Sequence, residues 1–120
     1  DTLMLGRANA TFYYIRYQCE MKVHQYKQAL NDIAHAALLS PEQPLYIAEL
    51  ASLQLRVNQY EDAIKTADLC LKYAPDNSDS YIIKGLALIQ LKKTAEGLEA
   101  LQKAKELGDS RADELIKKYK

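Results

Sequence analysis

The stretch that decides the fold is Asn58 to Asn77, NQYEDAIKTADLCLKYAPDN. Ala63, Ile64, Ala67 and Cys70 recur at three- and four-residue steps, which predicts one face of a helix. Glu61-Asp62 stand at its start, where negative charge suits the helix dipole. Pro75 closes it, since a proline ring cannot continue a helical ladder. The same pattern stands on either side. Tyr26, Ala29, Leu30, Ala36 and Pro41 lie 34 residues before Tyr60, Ala63, Ile64, Cys70 and Pro75, and Thr94, Gly97, Leu98, Ala104 and Asp109 lie 34 residues after them.

A 34-residue period, small residues at fixed sites and a proline between helix pairs are the marks of a repeat architecture. QYKQAL, QYEDAI and KTAEGL resemble the opening of the second (B) helix of the tetratricopeptide repeat (TPR), and SPEQP and YAPDN resemble its inter-repeat turns. The resemblance runs over residues 10 to 111. It implies an all-α chain: a right-handed α-solenoid of three TPR helical hairpins with a C-terminal capping helix. No stretch reads as strand, and no proline- or serine-rich linker divides the chain.

Taken in order, residues 1–9 (DTLMLGRAN) read either as the end of a preceding repeat, stopped at Gly6, or as a frayed terminus. Repeat one spans 10–43, and its first (A) helix is ATFYYIRYQCEMK. The family usually places leucine and then a small residue in the middle of helix A. Here Arg16 and Tyr17 stand there, which puts close packing of that helix in question and marks a surface for docking. Repeat two, 44–77, is the most regular, with Leu50-Ala51 at those sites, Pro44 in a first turn and Asn58 in the A–B turn. Repeat three is 78–109, with Tyr81, Gly85, Ala87, Leu88 and Leu91. Gly97 is unfavourable inside a helix and is explained by close approach of helix A. Tyr26 and Tyr60 are expected to wedge between hairpins. Residues 110–120 read as an amphipathic capping helix with an S-x-x-D start, Ser110 to Asp113, and an apolar stripe of Ala112, Leu115, Ile116 and Tyr119.

Composition excludes several functions. At 120 residues the chain holds one core without a metal or disulfide framework. Sixteen basic and sixteen acidic residues cancel, so no global field recruits nucleic acid or anionic lipid. Lys92-Lys93 and Lys117-Lys118 are short pairs among balancing acids. No apolar run is long enough to insert in a membrane. Cys19 and Cys70 fall inside apolar helical patterns and are expected as buried thiols. The chain opens with Asp, which fits a trimmed or mature fragment, so targeting is not read from it. The cytoplasm is the favoured compartment and the periplasm also tolerates this cysteine usage.

No catalytic motif emerges. His24 and His35 lack Cys, Asp or Glu at metal-ligand spacing, and neither H-E-x-x-H, G-x-S-x-G nor a phosphate-cradling glycine loop occurs. The expectation is a non-catalytic scaffold that needs no cofactor and binds a protein or peptide. Stacked A helices line the concave face of a solenoid. By the resemblance, its groove-facing residues are Tyr14, Gln18 and Lys22 from the first hairpin, Leu45, Ala48, Ser52 and Arg56 from the second, and Asp79, Ile82, Leu86 and Gln90 from the third. An apolar or amphipathic peptide is the expected occupant. Replacing Ile82 and Leu86 by Lys is expected to abolish binding without unfolding.

Co-chaperones of this family grip a heat-shock chaperone's terminal carboxylate with Lys, Asn, Asn, Lys and Arg. The corresponding sites here are Tyr14, Gln18, Glu49, Asp79 and Ile83. All five depart from the pattern and two are acidic, which argues against a carboxylate clamp. The alternative function is a structural segment of a longer array, used for intramolecular packing or for self-association through residues 1–9 and the first A helix.

Overall fold

Among the described residues seven α-helices follow one another: α1 (Thr2–Lys22), α2 (Tyr26–Leu39), α3 (Pro44–Arg56), α4 (Tyr60–Tyr73), α5 (Ser78–Gln90), α6 (Thr94–Glu106) and α7 (Ser110–Tyr119). The structure, a computed structural model, describes residues 2–120, with side chains from Leu5 onward. There is no strand among the described residues. Helices pair as α1·α2, α3·α4 and α5·α6, each pair packs on the next, and α7 closes the far end on α6. The result is an α-solenoid measuring 48 × 28 × 22 Å. Its radius of gyration of 14.8 Å exceeds the roughly 13.6 Å expected of a globule of this length, as stacking in one direction requires.

The turns inside the hairpins are one device used repeatedly. His24, Asn58 and Lys92, spaced by the repeat, all take positive φ, at 61°, 67° and 68°. Each is the left-handed residue after an A helix. The following amide reaches back five residues (Gln25 N to Glu20 O, Gln59 N to Gln54 O, Lys93 N to Leu88 O), closing a Schellman turn. Gly108 repeats the geometry before α7, with φ 89° and Asp109 N donating to Ala104 O. Tyr26 and Tyr60, two residues after the first two of these turns, pack into the clusters between hairpins.

Among the described residues three packed clusters make the core, one at each junction. Ala10, Tyr17, Ala29, Ile33, Ala36 and Leu53 tie the first hairpin to α3. Ala51, Ala63, Ala67, Ile83 and Ala87 tie the second hairpin to α5. Ile82, Leu101, Ala104 and Ala112 hold the third hairpin under α7, with Leu115 and Ile116 packed on them. The small residues bring helix axes close. In the third hairpin the approach is close enough that a Cβ on Gly97 would lie 2.7 Å from the Gly85 carbonyl oxygen.

Several residues sit differently from the sequence expectation. Gly6 does not stop a helix: α1 runs from Thr2 without interruption. Hydrogen of the glycine fits beside α2, where a Cβ would meet Leu39 O at 3.3 Å, and Arg7 reaches Glu42 at 3.5 Å. Leu3 and Met4 of the expected apolar triplet lie outside the residues whose side chains are described. Cys19 is exposed, because it lies on the outer side of α1, whereas Cys70 is buried. The cap of α7 is Asp109 and not Ser110; its carboxylate accepts from Arg111 N at 3.0 Å. Asp113 instead pairs with Lys105 at 2.9 Å.

Arg16 and Tyr17 also resolve differently from the packing in question. Arg16 grips Asp32 of α2 through two bonds of 2.7 Å, and this bidentate pair holds the buried Asp32 carboxyl below its usual range. Tyr17 stands where the later hairpins have Ala51 and Gly85. It stays buried by reaching into the next hairpin, where its hydroxyl donates to Glu49 Oε2 at 2.7 Å.

Candidate peptide-binding groove

The A helices α1, α3 and α5 lie successively along one side of the stack, and α3 touches α5 directly. Between α3, α5 and the start of α7 lies a cleft of about 250 Å³. Leu45, Ala48 and Ser52 line it from α3, at steps of three and four residues that place them on one face. Asp79, Ile82 and Ile83 line it from α5, Asn77 from the turn before α5, and Arg111 from α7.

Next to Glu49, which also lines this cleft, stands an aromatic wall. Tyr14 stacks on Tyr17 with ring centroids 5.8 Å apart and leans on Tyr46 at 5.1 Å. Burial, then the Glu49 carboxylate, raises the Tyr14 phenol above its usual pKa. Burial and the hydrogen bond to Glu49 do the same for Tyr17. Both phenols therefore remain protonated at neutral pH and can act as hydrogen-bond donors.

The charged end of the cleft is closed on itself. Arg111 Nε donates to Asp109 Oδ1 at 3.0 Å and Nη2 to Asp109 Oδ2 at 2.7 Å, while Nη2 also pairs with Asp79. Ser78 adds a hydroxyl to Asp109 Oδ2 at 2.9 Å. These donors, Arg111 first, hold the Asp109 carboxyl well below the usual carboxylate range. Two acids thus compensate this guanidinium, so it is not a free cation awaiting a ligand's carboxylate.

Of the residues expected in the groove, the cleft brings together Ala48, Ser52 and Ile82, with Leu45 and Asp79 beside them. Ile82 forms part of the floor with only 5% of its surface exposed, because it packs with Leu101, Ala104 and Ala112. A Lys there would bury a charge in that cluster, so the Ile82/Leu86 double substitution is not a clean test of binding. Leu86 is half-buried against the same cluster. Tyr14 belongs to the aromatic wall. Gln18, Lys22 and Gln90 are exposed and do not line the cleft. Arg56 lies with its guanidinium 5.0 Å from the Tyr26 ring. Glu49 and Ile83, two of the clamp-equivalent sites, complete the lining together with Asn77 and Arg111, which sequence reasoning did not place there. Arg111 was legible in one respect: it stands one repeat length after Asn77, the N-cap of α5.

The histidines are engaged locally. His24 Nδ1 lies 2.8 Å from the Tyr26 hydroxyl, and His35 Nδ1 lies 2.7 Å from Asn31 O with its ring stacked on Tyr13. Among the described residues no three His, Cys, Asp or Glu side chains gather as a metal site. No described helix is long and apolar enough to cross a membrane.

No family model and no curated protein matches the chain. Solved structures match it in fold. The first TPR domain of Spaghetti (RPAP3), bound to the HSP90 peptide SRMEEVD, superposes with a TM-score of 0.86 at 18% identity, over 94% of this chain and 91% of that one. The Arabidopsis OM64 TPR domain gives 0.88 at 17% identity, over 96% and 97%. The yeast Sti1 TPR2B domain in complex with an Hsp70 peptide gives 0.86 at 20% identity, over 93% and 96%. The fold of this chain is therefore that of a TPR domain, three helical hairpins and a capping helix.

Proposed function

We propose that this chain is a non-catalytic protein-interaction module that holds a peptide segment of a partner against its concave face. The observation that carries the reading is the α3/α5 cleft, lined by the apolar Leu45, Ala48, Ile82 and Ile83 and by the polar Ser52, Asn77 and Glu49. An apolar lining with a few polar groups suits an amphipathic segment. Tyr14 and Gln18 extend this face along α1, with Lys22 at its edge toward the outer side of that helix, Arg56 lies at the end of α3, and Leu86 and Gln90 continue it on α5. Structures of the same fold bound to HSP90 and Hsp70 peptides support a peptide as ligand. The departures at Tyr14, Gln18, Glu49, Asp79 and Ile83, together with the internally paired Arg111, favour a ligand held by side chains and not by a terminal carboxylate.

The test is a peptide array probed with the wild-type chain and with Leu45→Glu/Ser52→Arg, both replaced residues being exposed. Peptides bound by the wild type are expected to lose at least about tenfold in affinity to the folded variant. Selected peptides that bind both forms equally overturn the groove assignment.

A second reading, self-association through residues 1–9 and the first A helix, is favoured by one observation. Leu5, Phe12 and Ile15 on α1, and Val23 in the turn just after it, are large apolar residues left exposed.

A further inference from the structure

α1 is apolar on two sides. Ala10 and Tyr17 face the core, while Leu5, Phe12 and Ile15 are 63%, 57% and 55% exposed on the opposite side. A helix with two apolar faces is built to be covered on both. The repeat period shows what such a face does elsewhere in this chain. Cys19 stands where α3 has Leu53 and α5 has Ala87, which are 1% and 0% exposed. Ile15 stands where α5 has the buried Ile83. In α3 and α5 this face packs on the preceding hairpin.

A hairpin joined upstream as the others are joined does not fit that role. Such a connection needs a turn at residues 6–9, the equivalents of the turns at 40–43 and 74–77, and those four residues are helical. The outer residues also follow a seven-residue repeat, with Leu5, Phe12 and Cys19 at one position and Ala8, Ile15 and Lys22 at the other. This is the spacing of a two-helix seam. Asn9, Thr11 and Gln18 beside it are uncharged, and Arg16 is occupied by Asp32, so a second identical face meets no opposing row of like charge.

The geometry points to a symmetric dimer in which α1 packs antiparallel on α1 of a second copy, resting on the self-association reading above. Antiparallel pairing sets Phe12 against the partner's Ile15, Ala8 against the partner's Cys19, and Lys22 against the partner's Leu5, along which its aliphatic stem can lie. Parallel pairing sets Lys22 directly beside the partner's Lys22. The two arrangements also separate the thiols differently. In the antiparallel pair the two Cys19 residues are displaced by about eleven residues, roughly 16 Å along the axis, beyond disulfide reach.

Sedimentation equilibrium on the 13.6 kDa chain is expected to show a concentration-dependent doubling of mass. Ile15→Glu, at an exposed site and checked for folding by circular dichroism, is expected to weaken the dimer at least about tenfold, since the change enters the interface twice. Under mild oxidation with Cys70→Ser as background, Ala8→Cys is expected to yield a linked dimer with Cys19, and the chain without the new thiol is not. A wild-type chain that stays monomeric overturns self-association and this geometry with it. A dimer indifferent to Ile15→Glu overturns the α1 seam. A dimer sensitive to Ile15→Glu but linked through Cys19 alone overturns the antiparallel arrangement and leaves self-association standing.

Discussion

Gly97→Ala sets helix propensity against packing, and the two predict opposite signs. Inside α6, alanine is favoured over glycine by roughly 1 kcal/mol. The new Cβ would lie 2.6 Å from Ile89 Cγ1 and 2.7 Å from Gly85 O. The Ile89 side chain has rotamers to use. The Gly85 oxygen belongs to the α5 main chain and yields only if the helices separate. Restoring ordinary contact at about 3.4 Å means moving them apart by roughly 0.7 Å, which also loosens Leu101, packed close to Gly85 on the same interface. Overpacking of this kind costs about 1–3 kcal/mol, and a main-chain obstacle puts it in the upper half. The net expectation is a loss of about 1–2 kcal/mol. For 120 residues that corresponds to a Tm lower by about 4–8 °C. Urea unfolding followed by circular dichroism measures it, with an unchanged m-value confirming that only stability moved. A variant more stable than wild type by about 1 kcal/mol would mean that propensity governs and that α5 and α6 are not in close contact here.

Further predictions concern turns, caps and charge. Lys92 is exposed and held at φ 68°, so Lys92→Gly should stabilise by about 0.5–1 kcal/mol, read from the denaturation midpoint. Asp109→Ala removes the α7 cap and the anchor of Arg111 and should cost about 1–2 kcal/mol, with hydrogen exchange rising first in α7. Because the folded Asp109 carboxyl is held below its usual range, its contribution is complete above about pH 4 and fades as pH falls below that, a loss the alanine variant lacks. Glu20 behaves oppositely. Burial, with the Asp32 carboxylate beside it, pushes its carboxyl up to about 7. The folded chain therefore binds this proton more tightly than the unfolded one, and stability declines as pH rises from about 4.3 through about 7. Glu20→Gln should flatten that decline in a Tm-against-pH series and raise the Tm at about pH 8; an unaltered profile would remove Glu20 from the account.

Element type and order were legible because they depend on local periodicity. The 34-residue recurrence of Tyr26/Tyr60, Ala29/Ala63/Gly97 and Pro41/Pro75 marks where helices must approach and where they must turn. The left-handed residues obey the same period, although Asn58 and Gly108 advertise the conformation most clearly by type. His24 and Lys92 adopt it through position, because the Schellman bonds offset an intrinsic backbone cost. The cap of α7 was misplaced by one residue, since Asp109 and Ser110 are both good caps and only the direction of the chain leaving Gly108 chooses between them.

The lining of the candidate cleft was half legible. Repeat register places Ala48, Ser52 and Ile82 on one side of the stack, but it cannot weigh exposure. How deeply Ile82 sits depends on where α7 comes down, and Arg111 enters the cleft for the same reason. Tyr17 and Cys19 make the contrast sharpest. Sequence alone determined that both lie on one helix two residues apart, so they point to different sides. Only the tertiary structure decided that the third hairpin's glycine site could be replaced here by a buried tyrosine reaching Glu49, and that Cys19 faces outward. Periodicity fixes which residues share a face, because it is a property of one helix; whether a face is covered depends on a neighbour many residues away, which no local spacing encodes.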